Sequence, residues 1–218
     1  MRIRKPSFVN VILAGVAVAA TAVAIAQQPS KDAKPGAMPP EMKLPPGWTE
    51  ADMQACGLAG TPGEMHALLM KDVGNWHGKQ KMWMAPGTDP VSTECSTKIT
   101  GLMDGRFVMC EVSGDMPGMG PFKGMGIYGF DNVTQKFQCA WIDNCGTMMA
   151  TGHGALSSDK KTLTWNYTYS CPITKKPTTL RQVDTITSEN GKTSEMFAID
   201  PKSGKEFKML WTEYTRKN

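Results

Sequence analysis

From Val73 onward, apolar and polar side chains alternate with a period of two in short stretches spaced about ten residues apart. Turn signals such as Ala85-Pro86-Gly87 and Glu189-Asn190-Gly191-Lys192 separate these stretches, and no long helical pattern interrupts them. A meander of ten strands leaves exposed edges unless it closes on itself. The pattern therefore predicts an all-β fold, a closed antiparallel up-and-down barrel with strands at about residues 74–84, 91–100, 106–113, 122–130, 136–143, 147–156, 162–170, 179–187, 193–199 and 205–215.

A different pattern precedes the first strand. Thr61-Pro62-Gly63-Glu64 predicts a helix start with Thr61 as the N-cap, and apolar residues follow it at helical spacing. Thr49-Glu50-Ala51-Asp52 resembles a second, shorter helix start. We therefore expect one or two short helices ahead of the barrel, within a single domain of residues 48–218.

The N-terminus has the pattern of a secretory signal. The positively charged segment Arg2–Lys5 precedes the apolar run Val11–Ala26, which ends in Ala-Ile-Ala. The run has 16 residues, whereas a membrane-spanning helix needs about 20. We expect residues 1–26 to be a cleaved signal peptide, which predicts a periplasmic or secreted protein without stable membrane insertion after cleavage. Residues 27–47, which are rich in proline and lysine, are expected to form a disordered tether.

Composition narrows the classes of partner. Hydrophobic residues make up 40% of the chain and charged residues 20%, which suits a globular core. Cleavage of the signal leaves 21 basic residues against 20 acidic ones, so the formal charge falls from +4 to near neutrality. A nucleic-acid partner is therefore not expected. The sequence does not fix the oligomeric state.

Six cysteines in an exported chain predict disulfide bonds, and no C-x-x-C spacing favours a zinc site. Six thiols allow 15 connectivities, so the choice among them stays open. Hairpin turns at Leu102–Gly105 and Ser157–Asp159 would place two pairs on facing strands and leave a third pair over. The candidate pairs are Cys95 with Cys110, Cys145 with Cys171, and Cys56 with Cys139.

Several short motifs point to a known family. Gly74-Asn75-Trp76 at the first strand matches the G-x-W signature of lipocalin-like barrels, and Arg216 at the end of the last strand is placed to pack over Trp76. Together with the segments quoted below, the chain resembles the family known as domain of unknown function 1579 over about residues 63–217. The resemblance implies a lipocalin-like barrel and structural roles for Gly74, Trp76 and Arg216, and it implies no activity. The further segments are Val73–Gly78, Gly105–Phe107, Phe122–Gly126, Tyr128–Asn132, Trp141–Asn144, Gly146-Thr147 and Gly204–Phe207.

A barrel of ten strands is wide enough that side chains need not fill it. We therefore expect a carrier or sensor that binds a small apolar or amphipathic molecule. Cavities of about 300 Å³ or more are typical of ligand sites. Asp143 is the preferred polar anchor. The candidate ligand-binding residues are Trp141, Asp143, Trp165, Tyr167, Arg181 and Trp211.

Two other classes of function stay open. The chain has 17 methionines, and Met116, Met119 and Met125 lie in or near one loop whose soft thioethers suit Cu(I). A copper-binding protein is therefore an alternative, although methionine also fills irregular apolar cavities. An uncharacterised barrel enzyme is a third interpretation, and neither a G-x-S-x-G nor an H-E-x-x-H spacing assigns catalytic residues. A haem-binding barrel would need a histidine at an open barrel face.

Overall fold

A computed structural model describes residues 44–217, which form two short helices followed by ten antiparallel strands. Every strand pairs with its neighbours in the sequence, and β1 also pairs with β10, so the sheet closes into an up-and-down barrel. The predicted fold is confirmed. The predicted signal peptide, residues 1–26, and residues 27–43 of the predicted tether, residues 27–47, lie outside the described residues. The elements are α1 (Glu50–Gly60), α2 (Glu64–Met70), β1 (Gly74–Met82), β2 (Val91–Leu102), β3 (Phe107–Met116), β4 (Gly120–Asp131), β5 (Lys136–Asp143), β6 (Ala150–Leu156), β7 (Thr162–Ser170), β8 (Pro177–Ser188), β9 (Gly191–Ile199) and β10 (Glu206–Lys217).

Alternation along the strands builds the core inside the barrel. In β7, Trp165 and Tyr167 are 2% and 4% exposed, whereas the intervening Asn166 is exposed. Aromatic rings from β4, β5 and β7 meet edge-to-face inside the barrel: the Phe137 ring lies 4.9 Å from Phe130 and 6.1 Å from Trp165, between ring centroids. Because such edge-to-face contacts add to the burial of apolar area, the aromatic strip is a major stabilising feature.

A β-bulge in β10 changes which residues face inward. Lys208 pairs with Phe197, but Leu210 pairs with the next residue along β9, Met196, so Met209 is an extra residue in β10. The alternating pattern places Phe207 and Trp211 on one face. The structure instead places Phe207 inside, opposite the buried Ala198, and Trp211 outside, because one inserted residue inverts the faces beyond it.

Arg216 of the last strand, β10, contacts both the first strand, β1, and the turn between α2 and β1. Its guanidinium lies 4.2 Å from the centre of the Trp76 ring and donates to the carbonyls of Val73 and Lys71, both at 2.7 Å. Gly74 has φ of +139°, and a Cβ there would lie 2.7 Å from Arg216 Nη1, so only glycine fits the position. The G-x-W segment and Arg216 therefore form one closing contact.

The two helices lie over one end of the barrel. Thr49 caps α1 through a capping box with Asp52. Asn132 Nδ2 donates to three carbonyls at the other end of α1, at 2.8–3.2 Å. In α2, His66 and Leu69 are buried, and the His66 ring packs on Phe130. Among the described residues, no helix is long and apolar enough to cross a membrane.

The start of α2 differs from the prediction. Gly63 is the N-cap, and its amide donates to His66 Nδ1 at 3.0 Å. Thr61 instead closes α1, where its hydroxyl donates to the Gly57 carbonyl. The prediction that Thr61 caps the start of α2 is wrong, because a threonine between two closely spaced helices can cap either one.

All six cysteines are free thiols in the structure. The turn at Leu102–Gly105 forms, but the register pairs Cys95 with Gly114 and Cys110 with Ile99. Cys95 and Cys110 are thus not opposite each other, and the prediction that they lie equally far from the turn is wrong. The remaining thiols are also in different settings: Cys56 is exposed on α1 and Cys145 on a loop, whereas Cys139 and Cys171 are buried.

Candidate ligand-binding site

The barrel interior contains a cavity of about 130 Å³ beneath α2. Leu68 and Leu69 of α2 cover it, Lys160 and Lys161 line it from the turn between β6 and β7, and Ile186 lines it from the end of β8. Its wall is mostly apolar and aromatic. Residues that matter for its chemistry are Thr97, Tyr128, Trp165, Asp184, Lys192 and Tyr214.

Two acidic side chains, Asp184 and Asp72, lie in the wall of this cavity. The hydrogen-bond donors that contact Asp184 are all neutral. Trp165 Nε1 donates to its Oδ2 at 3.2 Å, and Gln182 Nε2 donates to both oxygens at 2.9 and 3.0 Å. Burial raises the pKa of Asp184, while hydrogen bonds from Ser194 and Gln182 and the nearby charge of Lys192 oppose the rise. Asp72, the second carboxylate of the wall, forms an ion pair with Lys192, with 2.7 Å between Oδ2 and Nζ.

This environment predicts a pH dependence of stability. The unfolded carboxyl titrates at about pH 3.9, and the folded pKa is higher, so above pH 3.9 the folded state binds more protons than the unfolded state. The free energy of unfolding contributed by Asp184 therefore falls as the pH rises from about 4 through the folded pKa. In urea titrations from pH 4 to 8, we expect Asp184→Asn to gain stability relative to the wild type as the pH rises. A constant difference between the two proteins would contradict the assignment.

Thr97 contributes an incompletely satisfied hydroxyl to the same cavity. The residue is 4% exposed, and its Oγ1 is the one buried side-chain oxygen or nitrogen among residues 44–217 without a hydrogen bond of standard length and angle. Tyr214 and Cys95 make weaker contacts with it, which partly offset the rise that burial causes in the pKa of each. A buried polar atom without a partner is costly, and native proteins rarely keep one without a reason. Thr97 therefore marks a point where the cavity can accept or donate a hydrogen bond.

The buried thiols and tyrosine hydroxyls of the interior are uncharged. Burial raises the pKa of Cys110 and of Cys139 to about 12 and raises the pKa values of Tyr128, Tyr167 and Tyr214 well above the usual range. These thiols are protonated at neutral pH, so they do not provide a thiolate nucleophile. The Tyr167 hydroxyl donates to that of Tyr128 at 3.3 Å.

The structure separates the predicted ligand-binding residues into three places. Trp165 lines the cavity, and Tyr167 lies inside the barrel next to Tyr128. Arg181 and Trp211 lie on the outer face, where Arg181 pairs with Glu206 at 2.7 Å and stacks on Phe197, and where Lys81 lies over the Trp211 ring. Their expected position inside is wrong because Arg181 is one residue out of phase with the inward Gln182, and the bulge turns Trp211 outward.

Trp141 and Asp143 lie inside at the opposite end of the barrel from the cavity. Trp141 Nε1 donates to Asp143 Oδ2 at 2.9 Å, and the indole packs against Gly124 and Gly126, which leave room for it. Asp143 Oδ1 accepts the Cys145 amide at 2.9 Å. Asp143 thus orders the loop after β5, and it does not line the cavity beneath α2.

The three candidate copper ligands are not brought together. Met116 Sδ lies 3.9 Å from Cys145 Sγ, and Met119 is 62% exposed at the nearby turn. Met125 lies on the outer face of β4, opposite Ile142. Among the described residues, no group of three or more His, Cys, Asp or Glu side chains is arranged to hold a metal.

None of the three histidines lines the cavity. His66 packs on Phe130, His77 lies 3.7 Å from Glu94, and His153 is exposed on β6. A second, larger concavity of about 980 Å³ follows β1 to β5. Its lining includes residues of the outer barrel face, such as Lys98, and residues of the inner face, such as Thr97. It therefore runs along the barrel wall and is not a single enclosed cavity.

A family model described as "Protein of unknown function (DUF1579)" matches residues 61–216, which is more than half of the chain. The chain belongs to this family. No curated protein matches the DUF1579 chain.

Solved structures show the fold alone. The crystal structure of Rv2717c from M. tuberculosis is 14% identical, with a TM-score of 0.53, and the match covers 72% of the DUF1579 chain and 100% of the other. The S-type phycobiliprotein lyase CPES from Guillardia theta is 8% identical, with a TM-score of 0.54, and the match covers 72% and 94% of the two chains. These identities are too low to carry over any site residue.

Proposed function

We propose that this protein is an exported barrel that binds a small, mainly apolar molecule in the cavity beneath α2, as a carrier or sensor. The observation that carries the proposal is the cavity itself, which has apolar and aromatic walls and a few inward polar groups. Such a wall gives affinity through buried apolar area and selectivity through a few polar contacts. The secretory pattern of residues 1–26 supports export.

The volume sets the size of the ligand. The cavity has about 130 Å³, which is below the roughly 300 Å³ expected of a typical ligand site and close to the roughly 150 Å³ of a cavity that holds benzene. Inside the barrel, the rings of Tyr128 and Phe137 pack against Trp165 and take up part of the interior. We therefore expect a ligand of about the size of a single ring, and long fatty acids are too large.

The test is a calorimetric titration of the purified protein with toluene, using decanoate as an oversized control. We expect saturable binding of one toluene per barrel and no binding of decanoate. Ile99→Phe, which adds volume at the cavity wall, should abolish toluene binding, whereas Ile127→Phe on the outer face of β4 should not. Toluene that fails to saturate, or binds equally well to Ile99→Phe, would refute the proposal.

A second candidate function is binding of Cu(I), and the approach of Met116 Sδ to Cys145 Sγ favours it. Titration against a competing chelator should then show that Met116→Ala and Cys145→Ser weaken Cu(I) binding by at least about tenfold. Met119→Ala tests the exposed neighbour. Met125→Ala is the matched control, because Met125 lies on another face. Unchanged affinity in Met116→Ala and Cys145→Ser would eliminate the site.

A further inference from the structure

Asp184 has no ion-pair partner in the cavity wall. Lys192 contributes a positive charge beside it, but its ammonium is held by Asp72 at 2.7 Å and lies 4.6 Å from the centre of the Trp76 ring. Among residues 44–217, no basic side chain forms an ion pair with Asp184. A carboxylate that is buried with neutral donors alone lacks the counter-charge that normally accompanies such burial.

The same cavity holds the second unmet group, the Thr97 hydroxyl. Thr97 belongs to β2 and Asp184 to β8, so the two groups reach the cavity from separate strands. The cavity is only about 130 Å³, and a single small molecule within it can therefore contact both. The rings of Trp165 and Tyr128 in the wall suit a cation, because aromatic rings attract positive charge, and the Tyr214 ring already lies 5.7 Å from the Lys192 ammonium.

We infer that the cavity selects small ring-containing primary amines, with Asp184 as the counter-ion of the ammonium group and Thr97 Oγ1 as a second acceptor. The inference rests on the proposed function and specifies its ligand class. An ammonium group supplies both the positive charge that Asp184 lacks and the N–H donors that two acceptors need. A neutral alcohol supplies a hydrogen bond without the charge, and an anion is repelled.

The lysines near the entrance do not oppose this selection strongly. Lys160 pairs with Glu64 at the surface, and Lys161 is exposed to water, where salt screens its charge. Asp184 is inside, where screening is weaker.

The experiment compares three probes of nearly equal size, benzylamine, benzyl alcohol and toluene, by calorimetric titration at pH 7. A hydrogen bond to a charged group is worth roughly 10- to 100-fold in affinity, so we expect benzylamine to bind more tightly than toluene by at least that factor. Asp184→Asn should remove this preference and leave toluene binding within about threefold. Thr97→Val, which preserves shape, should weaken benzylamine by about tenfold and leave toluene unchanged.

Asp143→Asn is the matched control. Asp143 also accepts an indole N–H inside the barrel, from Trp141, but lies outside the cavity, so its variant should keep the full preference for benzylamine. If benzyl alcohol or toluene binds as tightly as benzylamine, or if Asp184→Asn keeps the preference, the amine inference is overturned while the proposed function stands. If no probe binds, both fail. Should Asp184→Asn not fold, the wild-type ratio and Thr97→Val decide the outcome.

Discussion

Replacing Trp165 by alanine is expected to lower the free energy of unfolding by about 3–5 kcal/mol. Trp165 is 2% exposed and packs edge-to-face with Tyr128 and Phe137 at centroid distances of 5.1 and 6.1 Å. Its removal also leaves Asp184 without the Nε1 donor and opens space that the surrounding strands cannot close. Urea unfolding, followed by circular dichroism, measures the change.

Trp211→Ala is the matched control, because Trp211 lies on the outer face of β10. We expect it to cost about 1 kcal/mol or less. The enlarged interior of Trp165→Ala should in addition accept naphthalene, which is too large for the wild-type cavity. Equal destabilisation by the two substitutions would mean that Trp165 is not part of the packed interior.

Replacing Arg216 by alanine is expected to cost about 2–3 kcal/mol. The substitution removes two hydrogen bonds of 2.7 Å to the turn between α2 and β1 and the stacking on Trp76. It leaves the Val73 carbonyl without its partner in a partly buried setting. Arg216→Lys should recover only part of the loss, since an ammonium group does not bridge two carbonyls in the plane of an arginine fork.

Arg106→Ala provides the comparison. Arg106 also donates to two carbonyls, of Gly60 and Met103, but both bonds are exposed to solvent. We expect a loss of less than about 1 kcal/mol there. A loss from Arg216→Ala no larger than that from Arg106→Ala would show that the contact with Trp76 does not help to close the barrel.

The barrel could be predicted because strand alternation is a local property of the chain. The pattern identified all ten strands, and the turn residues located the hairpins that join them. The β10 bulge could not be predicted in the same way. Nothing in the segment around Met209 distinguishes a bulge from regular pairing, since the extra residue is defined only by its register against Met196 and Phe197.

The site was harder to predict because it depends on which face points inward. In β8, polar residues occupy both faces, so Arg181 and Asp184 look equally suitable in sequence, and only the pairing of Asp184 with the buried Ser194 shows which is inside. In sequence, Asp143 follows Trp141 on the same strand face, which is where a polar ligand anchor is expected. In the structure, its carboxylate instead accepts hydrogen bonds from Trp141 and from the Cys145 amide, which order the loop after β5. A missing partner, as at Thr97, is a property of three-dimensional packing.

The prediction that Cys95 and Cys110 face each other is wrong for a related reason. Counting residues outward from the Leu102–Gly105 turn treats it as lying midway between Cys95 and Cys110. In the structure, Leu102 pairs with Phe107, so Cys95 lies much farther from the turn than Cys110 does. Counting residues from a turn does not give the strand register, because small changes in turn geometry shift the register.

A crystal structure of the protein under xenon pressure shows whether the barrel is hollow, since xenon enters apolar cavities of this size. We expect one strong xenon peak inside the barrel, between Trp165, Tyr128 and the covering Leu69. An interior with no xenon peak, filled in that place by side chains, would mean that the barrel has no room for a ligand.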